Sequence, residues 1–131
     1  MLTLTLIIIA AVMNSVMDTL KFRFQGSIFN SKKLQRYLGP ESWRNKWDTP
    51  LPPSRGEDRP KYRERFLFSS TILVFVTDGW HLAQFIMLKA MILAVVLYSP
   101  LVNWWADFLI YSITFSLIFE IFYSKIWQNK K

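Results

Sequence analysis

Eight polar side chains stand inside or at the edge of otherwise apolar runs: Asn14, Asp18, Asp78, His81, Gln84, Lys89, Asp107 and Glu120. Polar groups at membrane depth are costly, so each calls for a partner or a purpose. Asp78 and His81 lie three apart in the segment TDGWH, Thr77 to His81. On a helix that spacing puts both on one face, where they can share a ligand. Carboxylates and an imidazole are competent ligands for a first-row metal, and a bound cation would relieve the repulsion between the acids. The expected site therefore joins Asp18, Asp78 and His81, with Glu120 as a further ligand, around a divalent metal ion. Asp78 and His81 are its catalytic candidates. Arg and Lys from the neighbouring loop would bring up a phosphate-bearing substrate such as a lipid headgroup, and the reaction would be metal-assisted hydrolysis. A plainer reading stands beside it: Asp18, Asp78 and Glu120 pair with Lys21, Arg65 or Lys125, and His81 satisfies a backbone carbonyl. D-x-x-H recurs by chance, so the spacing alone does not separate the two.

Two further sets invite the same weighing. Lys89 and Asp107 form a candidate buried ion pair that neutralises both charges; the sharper alternative is an ion path through Asp107, Lys89, His81 and Asp78. Trp43 and Trp47 bracket Arg44 and Lys46. If that stretch is helical, both indoles face one side and the four residues suit a headgroup layer; otherwise they pack the loop against the helix ends. Ser112, Thr114 and Ser116 read as helix-packing hydroxyls. With no cysteine in the chain, disulfides, thiolate catalysis and Cys-based zinc sites are excluded. Nothing resembles a phosphate-cradling glycine loop, a serine nucleophile elbow or a metalloprotease helix.

The elements that must position these residues follow from apolar runs within 131 residues, one domain's worth of chain. Leu2 to Met17 is short for a hydrocarbon core of ~30 Å, and extending the helix to about Phe24 closes the gap. That helix carries Asn14, Asp18 and Lys21 as a polar stripe. Residues 25–65 contain Gly26, Gly39-Pro40, Pro50, Pro52-Pro53, Gly56 and Pro60, so they read as a loop with short turns. The run Phe66 to Tyr98 is too long for one upright span. Either Phe66 to Leu88 crosses, with Asp78 and His81 at mid-membrane, or Gly79 to Tyr98 crosses and 66–77 lies obliquely at the boundary. An ionised carboxylate at the bilayer centre costs roughly 2.5–3.5 kcal/mol, which favours the second register. Ser99-Pro100 ends that helix. The third runs from about Trp104, an interfacial aromatic anchor, to Tyr123, and 124–131 is a tail.

Charge sets the expected orientation. The whole net charge of +7 falls between Lys21 and Arg65, with twelve Lys/Arg against five Asp/Glu. Three spans put that loop and the lysine-bearing tail on one side, so both satisfy the positive-inside rule. The expectation is an all-α membrane protein with three transmembrane helices and a basic cytoplasmic loop, in a bacterial inner membrane, its N-terminus outside and its C-terminus cytoplasmic. The flanking spans hold the basic segment at anionic headgroups, which disfavours nucleic acid as a partner. Three helices bury little against one another, so a homo-oligomer or a place in a membrane complex is expected. Three functions follow: an anchor or assembly subunit, a membrane-embedded metal-dependent hydrolase, and a holin-like or ion-conducting oligomer.

Three stretches, MDTLKFRFQGSIF (Met17 to Phe29), ESWRNKW (Glu41 to Trp47) and VFVTDGWH (Val74 to His81), make the chain similar to a group of small bacterial and phage-associated membrane proteins. No established activity is attached to that group. The resemblance implies that the stretches, two of which hold Asp18, Asp78 and His81, belong to one design.

Overall fold

In the computed structural model, which describes residues 1–48 and 64–129, three helices are long and apolar enough to cross a membrane. α1 is Leu2–Phe22, and a single turn, α2, is Gln35–Leu38. α3 is Gly79–Val96 and α4 is Trp104–Ile121, which continues as a wider π turn over Phe122–Ile126. At 1.5 Å per residue α1 is about 31 Å long and α3 and α4 about 27 Å each, matched to a hydrocarbon core of ~30 Å. The protein is an all-α membrane protein with three spanning helices. Part of the expected basic loop, residues 49–63 with Arg55, Arg59, Lys61 and Arg63, lies outside the described residues, and so do Lys130 and Lys131.

α1 is the central helix. It packs on both α3 and α4, and 39% of its span is buried, against 22% for α3 and 6% for α4. Its buried positions Thr3, Leu6, Ala10, Met17 and Leu20 follow a three-four spacing, which keeps one seam turned to a neighbouring helix. The facing residues of α3 are Gly79, Ala83, Ala90 and Ala94. Lipid supplies no hydrophobic drive between helices, so close backbone approach through small residues is what holds this pair. Leu6, Ala10, Ala90 and Ala94 form the core, with Ile7, Met87 and Phe115 against it. The small residues that do this are alanines on α1 and α3. Ser112 and Ser116 of α4, expected to pack, are exposed, and Ser116 Oγ donates back to the Ser112 carbonyl at 3.0 Å.

Hydrogen bonds tie each end of the bundle. At one end Trp127 Nε1 donates to Ser15 Oγ at 2.9 Å, Ile28 N donates to the Trp127 carbonyl at 2.9 Å and Asn129 N to that of Gly26 at 2.8 Å. The Arg23 guanidinium lies 4.2 Å from the Tyr123 ring centroid. The segment after α1 and the segment after α4 therefore share an end. At the other end Asp107, 1% exposed, accepts from Tyr98 Oη at 2.9 Å, Leu101 N at 2.9 Å and Val102 N at 3.1 Å. Asn103 caps α4 by accepting from Ala106 N. α3 stops at Val96, short of the expected Tyr98, because Tyr98 is drawn into this turn.

Ala10 has no exposed surface, so Ala10→Leu is expected to lower stability by about 1–3 kcal/mol through overpacking. Leu117→Ala, at a position 58% exposed, should stay within about 0.5 kcal/mol. Thermal unfolding in detergent compares the two, and equal midpoints would contradict an α1–α3 seam built on small residues.

Candidate functional site

Asp78 is the residue immediately before α3, in extended conformation, with no exposed surface. The first N–H groups of a helix have no intrahelical acceptor, and a carboxylate there also faces the positive end of the helix dipole. Its Oδ1 accepts from His81 N at 3.0 Å, and its Oδ2 lies 2.6 Å from His81 Nδ1. Thr77 Oγ1 is 3.2 Å from Oδ2, but its single hydrogen goes to the nearer Val74 carbonyl at 2.6 Å. An ionised carboxylate can only accept, so Nδ1 carries the proton of the Asp78–His81 bond. Nε2 is the ring nitrogen left over. The sequence reading placed both residues on one helical face as ligands; the structure makes Asp78 the helix cap and His81 the residue it caps and orients.

A cleft of about 250 Å³ opens beside this pair. One wall is the end of α1, with Leu20 and Lys21; another is the turn after α2, from Leu38 to Trp43; the third is Asp78, Trp80 and His81. Gly79 lets these walls close on one another, since a Cβ there would stand 2.1 Å from Leu38 Cδ2. Asn45 ties the second wall to the third, its Nδ2 donating to the Arg36 carbonyl at 2.7 Å and the Thr77 carbonyl at 3.1 Å. Beside it, burial first and the charge of Asp78 second raise the Tyr37 phenol above its ordinary 10.0. The oriented imidazole, the Lys21 ammonium and the two indoles make this a place where a polar, anionic group can be held.

The other expected site residues are dispersed. Among the described residues no group of three His, Cys, Asp or Glu side chains gathers to hold a metal, so the Asp18–Asp78–His81–Glu120 set is not assembled. Asp18 is half-buried on α1. Glu120 is exposed and accepts from Ser124 Oγ one turn on. Both carboxylate oxygens of Asp78 meet His81, one through its backbone amide and one through its ring. The expected Lys89–Asp107 pair is not formed either. Asp107 takes its partners from the turn, and Lys89 is exposed with its ammonium 5.4 Å from the Phe85 ring centroid. Trp43, Arg44 and Lys46 lie in a 3₁₀ turn, Ser42–Lys46, that ends in extended backbone at Trp47. With three residues per turn the indoles at 43 and 47 do not share a face. Arg44 instead lies 5.3 Å from the Trp43 centroid and pairs with Glu41 at 2.9 Å, and Lys46 lies 5.8 Å from Trp47.

Sequence reading did not anticipate the turn at Glu64. Its carboxylate accepts from Phe68 N at 3.1 Å, from Ser70 N at 3.3 Å and from Ser70 Oγ. Phe68 sits at φ 62, a region that costs a non-glycine residue roughly 1–2 kcal/mol, and the Glu64 acceptors hold it there. The segment is also tied to the 3₁₀ turn, since Ser69 Oγ and Arg65 N both donate to the Lys46 carbonyl, at 2.7 and 3.1 Å. A Glu followed at four and six residues by exposed amides is a capping signal, but the apolar run around it conceals it.

Compared with protein-family models, curated proteins and solved structures, the chain finds no match.

Asp78→Ala is expected to cost about 1–3 kcal/mol by removing the cap and the imidazole's partner together. Asp78→Asn, which keeps an acceptor for His81 N, should cost less. Unfolding midpoints check the order, and an Ala variant as stable as wild type would contradict the capping role. The Ser70 hydroxyl first, and then the amides, hold the Glu64 carboxyl below its ordinary 4.5. Its support of the turn is therefore present above that value and lost as pH falls through the lowered one. Amide shifts of Phe68 and Ser70 should titrate with a midpoint below 4.5 that Ser70→Ala raises; a midpoint at the ordinary value would contradict the bonds.

Proposed function

We propose that the protein is a small polytopic membrane anchor or assembly subunit whose polar end is seated on anionic lipid headgroups. One observation supports this above the others. Next to the cationic turn, residues 66–72 expose Leu67 (74%) and Ile72 (70%) from backbone that is not helical. Irregular backbone facing lipid is not tolerated in the hydrocarbon layer, because its polar groups would go unpaired. Side chains this apolar and this exposed are poorly placed in water as well. The boundary between headgroups and acyl chains suits both. At that level Lys32, Lys33, Arg36, Arg44 and Lys46 meet the negative surface potential, worth about 1 kcal/mol per cation. The opposite end carries the exposed pair Trp104 and Trp105 and no Lys or Arg between Lys89 and Lys125. This asymmetry supports placing the basic end on the cytoplasmic leaflet of a bacterial inner membrane, with the N-terminus outside. α4, with only 6% of its span buried, leaves a face for a second copy or a partner subunit.

Trypsin cleavage at Lys32 to Lys46 tests the reading in nanodiscs. Anionic lipid in a phosphatidylcholine matrix should slow cleavage several-fold, and raised salt should restore it, since exposed charges are screened over ~10 Å at 0.1 M. Equal cleavage with and without anionic lipid would overturn the headgroup contact.

A further inference from the structure

The cleft beside His81 has chemistry more specific than a cationic surface. We infer that it is a subsite for a headgroup of the glycerol-phosphate class, one that joins a phosphate to a free hydroxyl; the inference rests on the headgroup reading above.

The positive group is Lys21, at the end of α1 and exposed in the cleft wall. A flexible ammonium is a phosphate ligand of point-charge type. Lys21 is the lysine or arginine among the lining residues, its Nζ 5.0 Å from the Phe22 ring centroid, and Arg44, next to the lining Trp43, already has Glu41 as its partner. The second group is His81. Asp78 holds Nδ1 at 2.6 Å and fixes the ring, which leaves Nε2 for a ligand; with the proton on Nδ1 alone, that nitrogen is an acceptor. An acceptor held beside a phosphate-binding lysine calls for a ligand with its own donor. A hydroxyl supplies one without charge. An ammonium also supplies one, but the Trp43 face on which a cationic headgroup would stack is taken by Arg44, 5.3 Å from its centroid, and Lys21 adds repulsion. The cleft's volume of about 250 Å³ is below the 300–1,000 Å³ of sites for larger ligands, which fits a headgroup of a few heavy atoms. It lies between the end of α1 and the start of α3, where, on the headgroup reading above, the phosphates of one leaflet would stand. The same chemistry would accept free glycerol 3-phosphate.

Thermal stability in nanodiscs separates these. Phosphatidylglycerol and phosphatidylserine carry the same net charge, and only the first offers hydroxyls with no ammonium. At equal mole fraction in phosphatidylcholine, phosphatidylglycerol is expected to raise Tm above phosphatidylserine by roughly 4 °C. Lys21→Ala and His81→Phe should each abolish that difference while keeping whatever rise both anionic lipids share. Should His81→Phe fail to fold, Lys21→Ala and the wild-type lipid comparison decide. Free glycerol 3-phosphate added to phosphatidylcholine discs gives the same rise if the ligand comes from solution, and that result supports the subsite with a soluble source. Equal Tm in the two anionic lipids, with no response to glycerol 3-phosphate, overturns the subsite and leaves the cationic contact standing. No rise with either anionic lipid defeats both.

Discussion

A carboxylate with no exposed surface fixes the polar end of this bundle. A buried carboxylate persists only when its oxygens are hydrogen-bonded, and Asp78 meets that demand through His81 twice, once by its amide and once by its ring. Those two bonds decide where α3 begins, which leaves 66–77 outside the helix, and they aim the imidazole at the cleft. Asp107 does the corresponding work at the opposite end. It gathers Tyr98, Leu101 and Val102, and so closes the turn between α3 and α4. In both places an acid expected to meet a metal or a lysine meets backbone amides and a neighbouring ring or hydroxyl instead. Helix ends in a membrane protein have orphan amides and little water to satisfy them, and a short acidic side chain beside the end is the nearest remedy.

Much of the architecture is legible from the apolar runs. The lengths of Leu2 to Met17 and Trp104 to Tyr123 mark two spans, and the cost of a mid-membrane carboxylate points to a start near Gly79 for the other. The site was less legible. D-x-x-H reads equally as two ligands on one face and as a cap followed by the residue it caps. The choice depends on whether the helix starts before or after Asp78, and periodicity does not locate a boundary inside a continuous apolar run. The expected metal set is not gathered among the described residues: residue types on three helices say nothing about rotation, and Glu120 is exposed. Trp127 falls in the segment expected as a tail, yet its indole reaches Ser15 across 112 positions of sequence. Long-range pairs of that kind leave no local trace. Trp43 and Trp47 were separated by 3₁₀ geometry, which a four-residue spacing conceals.

The division of labour among the helices follows from packing. α1 contributes a seam of small and medium residues to both neighbours, and its Ser15 and Thr19 satisfy their hydroxyls on their own backbone at 2.7 Å each. α4 is mostly lipid-facing, with Phe108, Ile113 and Leu117 exposed. The candidate site thus lies at one end, where α1 stops, α3 starts and the chain between them folds into short turns.

Three spanning helices put the cleft end on one side of the bilayer and the Asp107 turn on the other. Because the chain has no cysteine, single-cysteine variants read it directly with a membrane-impermeant maleimide on sealed vesicles. Arg44→Cys and Gln128→Cys should label from the same side, Val102→Cys only from the opposite side, and Ile113→Cys from neither. Labelling of positions 44 and 128 from opposite sides, or free labelling at 113, would contradict the account.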